Sequence, residues 1–309
     1  MRKTLICLLL CLALGAGAAL ATPQTQPPFV FADAAVEDVA RQALGRPDGD
    51  IWAGELQKIE SLDLEAGLVH DLSDLAAMTG LRSLTISALK FTEVPAAPVG
   101  LDLAPLAGLK SLKMLRIYGS RVDKSADGSE THRFAYRVDD LSPLSGLGKL
   151  EILHLSDTLG VADLSPLKGL ARLTQLKLDG NPGAGDLSPI SALTKLEHLS
   201  LTDCGVRDLS PIAGLKKLRW LGLEATGTGD LSKLQGLAAL ETLILRDDPA
   251  VSDLSPLSGL KKLEMLDLKN TGVRDLSPLK GLKKLNWLNL QNVAVTDLSP
   301  VASVEKVYQ

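Results

Sequence analysis

Aromatic residues are scarce, with four Phe, three Trp and three Tyr in 309 residues. A core must therefore come from aliphatic side chains, which dominate the 45% hydrophobic content. That suits a narrow architecture with little room for rings. Cysteine is nearly absent. Cys7 and Cys11 lie in the first apolar run, which leaves Cys204 alone. One thiol excludes an internal disulfide and a paired-cysteine zinc site. A positive excess is also missing, because the formal net charge is -4. This argues against a nucleic-acid partner. The sequence contains no phosphate-binding glycine loop, no GxSxG and no HExxH. No acid–base pair or nucleophile set stands out, so the expectation is a non-catalytic protein without a cofactor or metal.

Long hydrophobic runs are lacking too. The longest, Leu5 to Leu14, is short for a membrane span. Arg2 and Lys3 precede it, and Ala19-Leu20-Ala21 follows as a small-x-small cleavage site. Residues 1–21 read as a secretory signal peptide, with a retained anchor as the alternative. The segment carries two basic and no acidic side chains, so its removal leaves a net charge of -6. The expected protein is exported, periplasmic or secreted, without stable membrane insertion after cleavage. Residues 22–28, TPQTQPP, read as a disordered Pro-rich tail.

What the sequence has in abundance is one phrase. DLSPLSGLKKLEMLDL begins at Asp253, and close copies begin at Asp140, Asp163, Asp186, Asp208, Asp230 and Asp275. From Asp140 to Asp297 the steps are 23, 23, 22, 22, 23, 22 and 22 residues. A fixed period of this size predicts a solenoid whose coils share one continuous core. The frame LxxLxLxx, followed by Thr, Asn or Cys, resembles the leucine-rich repeat, and DLSPLxGLxxL resembles its internalin type. The resemblance covers the chain from about Phe29 to its end. It implies an α/β repeat fold, a right-handed solenoid with a parallel concave sheet and a helical N-terminal cap. For function it implies only a general binding role.

Individual positions can be read physically. Strand leucines at period two point inward, and strands of successive coils pair in parallel. Ten strands are expected, from Leu62-x-Leu64 to Leu288-Asn289-Leu290. Ser142 suits the N-cap of a short turn and Pro143 its first position. The repeated Asp reads as part of that capping, with a calcium-binding column as the alternative. The Gly of the turn, as at Gly146 and Gly259, is expected to allow close passage of the chain. Ser120, Thr158, Asn181, Cys204, Thr226, Asp248 and Thr271 follow the strands. In leucine-rich repeats this position lies inside and bonds the neighbouring coil's backbone. Cys204 thus reads as a buried ladder residue, and a reactive thiol is the alternative. Residues 29–58 form the expected cap, with a helix begun by Asp33 and ended by Gly45. The repeats run from 59 to 296, with long inserts at 87–101 and 118–139. Residues 297–309 read as a truncated repeat that closes the C-terminal end.

The most variable positions flank the inward leucines and are expected to face the concave surface. Met114, Ile152, His198, Trp220, Met265 and Trp287 fall in the first such column, and Tyr118 in the third. Gly222 beside Trp220 is expected to leave a hollow. Exposed Trp, Tyr and Met on a rigid face are typical of protein interfaces. These seven residues are the candidate partner-binding site of a monomer. The expected partner is a protein, and the alternative is a glycan or cell-wall polymer stacked on the tryptophans. His154 and His198 are expected on exposed strand positions two strands apart, too distant for easy joint metal ligation. Lys216-Lys217, Lys261-Lys262 and Lys283-Lys284 fall on the convex turns. They read as a solvated face, with a weak basic stripe as the alternative.

Overall fold

The computed structural model describes residues 27–65, 68–89, 95–124 and 130–309. The expected leader and most of the Pro-rich tail lie outside them, as does Phe91 of the first insert.

The chain starts with helix α1 (Ala34–Leu44). The Asp33 carboxylate accepts from the backbone N–H groups of Ala35 and Val36, which satisfies donors that a helix start leaves unpaired. Gly45 ends it in the left-handed conformation, at φ 63°. A second helix, α2 (Ala53–Leu56), is a single turn. Val36, Ala40, Ile51 and Leu56 are buried and cover the first coil. Asp33 also accepts from His70 and Asp71 N–H of that coil, while the buried Asp74 accepts from Ala32 and Asp33 N–H. Two carboxylates thus lock cap and repeats together.

The early coils supply β1 (Ser61–Leu64), β2 (Ser83–Ser87), β3 (Val99–Gly100) and β4 (Met114–Tyr118). The second insert supplies β5 (Ser120–Lys124), β6 (Glu130–Phe134) and β7 (Tyr136–Arg137). The regular coils then give β8 (Ile152–Ser156), β9 (Gln175–Lys177), β10 (His198–Ser200) and β11 (Trp220–Gly222). They continue with β12 (Thr242–Ile244), β13 (Met265–Asp267), β14 (Trp287–Asn289) and β15 (Lys306–Tyr308). One parallel sheet of 11 strands runs β1-β2-β4-β8 and then in sequence to β15. The last strand was not among the ten expected. Val307 pairs with Leu288, so the final turn is followed by a complete strand.

Each turn after a strand is a short 3₁₀ segment such as Ser255–Leu257. Here the sequence expectation needs correction. The cap is the Asp two residues upstream, not the Ser: Asp140 accepts from Ser142 N–H at 2.7 Å, and Asp253 from Ser255 N–H at 2.8 Å. The same bond recurs at Asp163, Asp186, Asp208, Asp230, Asp275 and Asp297. An Asx turn of this kind uses the carboxylate in place of a backbone acceptor. Hydrogen bonds from Ser255 hold the Asp253 carboxyl below the usual carboxylate range.

The turn glycines do not mark a close chain crossing. A Cβ at Gly259 would find only a carbonyl oxygen 4.0 Å away, and at Gly146 it would meet the flexible tip of Lys110. What the turn provides is a carbonyl: Lys110, Lys216 and Lys261 donate to Gly146, Gly236 and Gly281 of the next coil at 3.2–3.3 Å. The first lysine of two of the convex pairs is therefore a tether between coils.

The inward leucines form one continuous core from Val36 to Val301. The ladder positions are buried. Asn181 donates to the Leu155 carbonyl of the preceding coil at 2.7 Å, and the Cys204 thiol to that of Leu178 at 3.1 Å. Burial pushes the Cys204 thiol up to about 12, so it is a packing group rather than a nucleophile.

The second insert leaves the solenoid as an antiparallel hairpin of β5 and β6. It returns through β7, which pairs in parallel with β3. Tyr136 is fully buried there, and its hydroxyl accepts from Val69 N–H at 3.0 Å. The insert is thus anchored to the first coil.

Candidate functional site: the concave face

Parallel register fixes what the sheet presents. Met114, Ile152, Gln175, His198, Trp220, Thr242, Met265 and Trp287 are successive register partners along one row. Each is half-buried, with part of its side chain open to solvent. Tyr118 lies in another row and is also half-buried.

The aromatics fall into separate groups. The Trp220 and His198 rings stack at 6.4 Å, with 19° between planes. Trp220 also lies across Gly222, where a Cβ would sit 2.6 Å from the ring. The hollow expected beside the ring is therefore filled by the ring itself. At the C-terminal end Trp287 meets Tyr308 at 5.4 Å and 45°. Tyr308 is 45% exposed and extends the aromatic surface. Sequence reading missed it, although Val301-x-x-Val304-x-x-Val307 repeats the spacing of Leu282, Leu285 and Leu288. The strand comes three residues earlier than the repeat predicts, because Val307 pairs with Leu288 only 19 residues before it.

The middle row behaves differently from expectation. Thr85, His154, Ser200, Asp267 and Asn289 are buried, with His154 only 5% exposed. Larger groups of the flanking rows close over it. The Tyr118 hydroxyl lies 3.2 Å from His154 Nδ1, and Trp220 covers Gly222. Burial, then the charges of Lys177 and Arg116, lowers the His154 pKa from 6.5 to about 4. At neutral pH this imidazole is uncharged. Burial raises the Asp179 and Asp267 carboxyls. Glu224 and Arg246 form a 2.7 Å ion pair in the outer row.

Among the described residues no three His, Cys, Asp or Glu side chains gather as a metal site. The Asp column of the turns is engaged in capping at every repeat. No helix among the described residues is long and apolar enough to cross a membrane. A hollow on the cap is lined by Asp38, Arg41 and Arg46. Its arginines hold the Gly49 and Asp50 carbonyls and so fix the turn.

This geometry defines a leucine-rich-repeat solenoid with a helical cap and an open strand face. Solved structures agree. An internalin from Listeria monocytogenes, InlF, matches with 23% identity and a TM-score of 0.52, covering 93% of this chain and 98% of that one. The functional domain of InlJ from the same organism matches with 16% identity and a TM-score of 0.51, over 90% and 69% of the two chains. A leucine-rich-repeat protein of Leptospira interrogans matches with 15% identity and a TM-score of 0.52, over 83% and 73%. The sequence matches no family model and no curated protein sequence. In fold, the chain is an internalin-like leucine-rich-repeat protein.

Proposed function

We propose that the protein is exported and binds another protein through its concave face. The observation that carries this reading is the pair of aromatic groups on one sheet face, Trp220 with His198 and Trp287 with Tyr308. Both groups are held by neighbouring side chains, so little rotamer freedom remains to be lost on binding. Large aromatic anchors on a rigid surface are the common hot spots of protein interfaces. Met114, Tyr118, Ile152 and Met265 would contribute contact area around them. The charge ahead of the mature chain points to export, as do the apolar run and the small-residue site.

A glycan partner is the weaker reading. Trp287 and Tyr308 are tilted at 45° rather than coplanar, which makes a poor platform for consecutive sugar rings. Capture from envelope and secreted fractions tests the proposal, using the protein beside its Trp220→Ala/Trp287→Ala variant. Loss of both anchors should weaken partner binding more than tenfold while the circular dichroism spectrum stays unchanged. Undiminished binding by the variant would remove the concave face from consideration. Glycan-array binding without protein capture would favour the polysaccharide reading.

A further inference from the structure

We infer that Arg116, His154 and Lys177 form an anion site in the floor of the concave face, and that it receives a carboxylate side chain of the protein partner. This rests on the concave-face reading and specifies its chemistry. The three residues are successive register partners on β4, β8 and β9. They lie about 4.8 Å apart along the sheet.

Two observations point to a missing acceptor. His154 is 5% exposed, and its Nε2 is buried without a hydrogen-bond partner. The buried Nε of Arg116 has none either. Buried donors are normally paired, and an orphan calls for an explanation. Neither Arg116 nor Lys177 forms an ion pair with a described residue. In the proposed site the Tyr118 hydroxyl, 3.2 Å from Nδ1, acts as the donor, which puts the ring proton on Nε2.

The charges that act most on His154 are the cations Lys177 and Arg116, while the Gln175 side chain favours protonation. The nearest carboxylate on β9's continuation, Asp179, is already engaged. It accepts from Thr202 N–H at 3.0 Å and from the Ser200 side chain, and burial raises its pKa. It also acts on Lys177, so one carboxylate offsets part of the charge of the two cations. Arg116 and Lys177 supply charge, and His154 Nε2, which is closed off in the free protein, becomes the donor between them once the side chains over it, Tyr118 among them, move aside. Met114, Ile152 and Tyr118 flank the row with apolar surface, which fits the methylene stem of a Glu or Asp side chain.

An anion here must also act back on His154. It would offset the two cations and raise the imidazole pKa from its value near 4, so binding takes up a proton and tightens as pH falls toward 5.

The test is a nitrogen-15 NMR titration of the histidine rings with an oligoglutamate peptide, with oligolysine and inorganic phosphate as comparisons. The expected result is a saturable shift at His154 Nε2 with oligoglutamate only, at least tenfold weaker in Arg116→Gln and in Lys177→Gln. Arg116→Lys keeps the charge but loses the fork, and should fall between. An absent shift overturns the inference, as does one equal in all variants. So does a response to phosphate without one to oligoglutamate. Partner capture separates the two levels. Capture lost in the tryptophan variant but intact in Arg116→Gln/Lys177→Gln overturns the acid site and leaves the concave face standing. Capture lost in both supports the site.

Discussion

The solenoid has two unlike halves. From Asp140 onward each coil takes 22 or 23 residues, and its turns, ladder residues and core leucines repeat almost unchanged. Before Asp140 the coils are longer, carry a hairpin, and are bound to the cap by side-chain hydrogen bonds that occur once. The regular half derives its stability from repetition, with each coil contacting only its neighbours. The irregular half depends on singular contacts, among them Asp33, Asp74 and Tyr136. The concave face crosses both halves: aromatic anchors lie in the regular part, and the basic row begins in the irregular part. Variation has been placed on the surface where the scaffold repeats, and in the scaffold where the chain must begin.

That contrast can be broken most strongly in the core. Leu199, Leu221 and Leu243 occupy the same position in successive coils, and all are fully buried. Alanine at any one should cost about 2–5 kcal/mol. If the coils are equivalent, the three values should agree within about 0.5 kcal/mol in urea unfolding. A wide spread would show that the regular half is not uniform.

A singular contact should have a comparable but unrepeatable effect. Asp33 caps α1 and also accepts two N–H groups of the first coil. Asp33→Ala should destabilise by about 2–3 kcal/mol, as a lost cap and buried charge-assisted bonds imply. Hydrogen exchange should localise the loss to residues 29–77. Uniform loss of protection along the whole solenoid would mean that cap and coils unfold as one unit.

The division also explains what could be read from sequence. The period, the inward leucines, the polar ladder and the capped first helix were legible because each rests on residue type at fixed spacing. His154 was misjudged because alternation says which face a side chain points to, not what neighbouring strands lay over it. Tyr118 and His154 are 36 residues apart, and no local pattern joins them. The capping Asp was assigned its role too loosely. Both Asp and Ser suit a cap, and only geometry distinguishes them. The last strand was not expected because it begins three residues early, in a repeat that reads as truncated.

Below the packing effects lies a pH effect in the basic row. Unfolded His154 binds a proton near pH 6.5, whereas the folded one does so only near 4. Between these values the unfolded state holds more protons, so stability falls as pH drops from 6.5 to about 4. His154→Gln should flatten this dependence in urea melts across that window. The raised carboxyls Asp179, Asp248 and Asp267 act in the opposite direction, but they are common to both proteins and cancel in the difference. Parallel profiles would mean that His154 titrates normally in the folded state.

The smallest effect concerns a column that sequence reading did not single out. After each strand of the regular half the same position adopts a positive φ: Asp157, Gly180, Asp203, Ala225, Asp247, Asn270 and Asn292, with Leu159, Gly205 and Gly227 doing so two residues further on. Gly, Asn and Asp tolerate this conformation, the latter two because their short polar side chains bond locally. Here they also bond between coils, as Asn292 does by donating to the Asn270 side chain at 2.7 Å. Ala225, at φ 51°, has neither glycine's freedom nor a polar side chain. Its methyl meets the following carbonyl, a strain of about 1 kcal/mol that the coil carries because its neighbours impose the turn. Ala225→Asn should relieve part of it and stabilise the protein by about 0.5 kcal/mol, read as a small rise in the urea midpoint at unchanged slope. A fall in the midpoint would show that Ala225 is packed in a way its backbone conformation does not reveal, and that the regular half contains one singular contact after all.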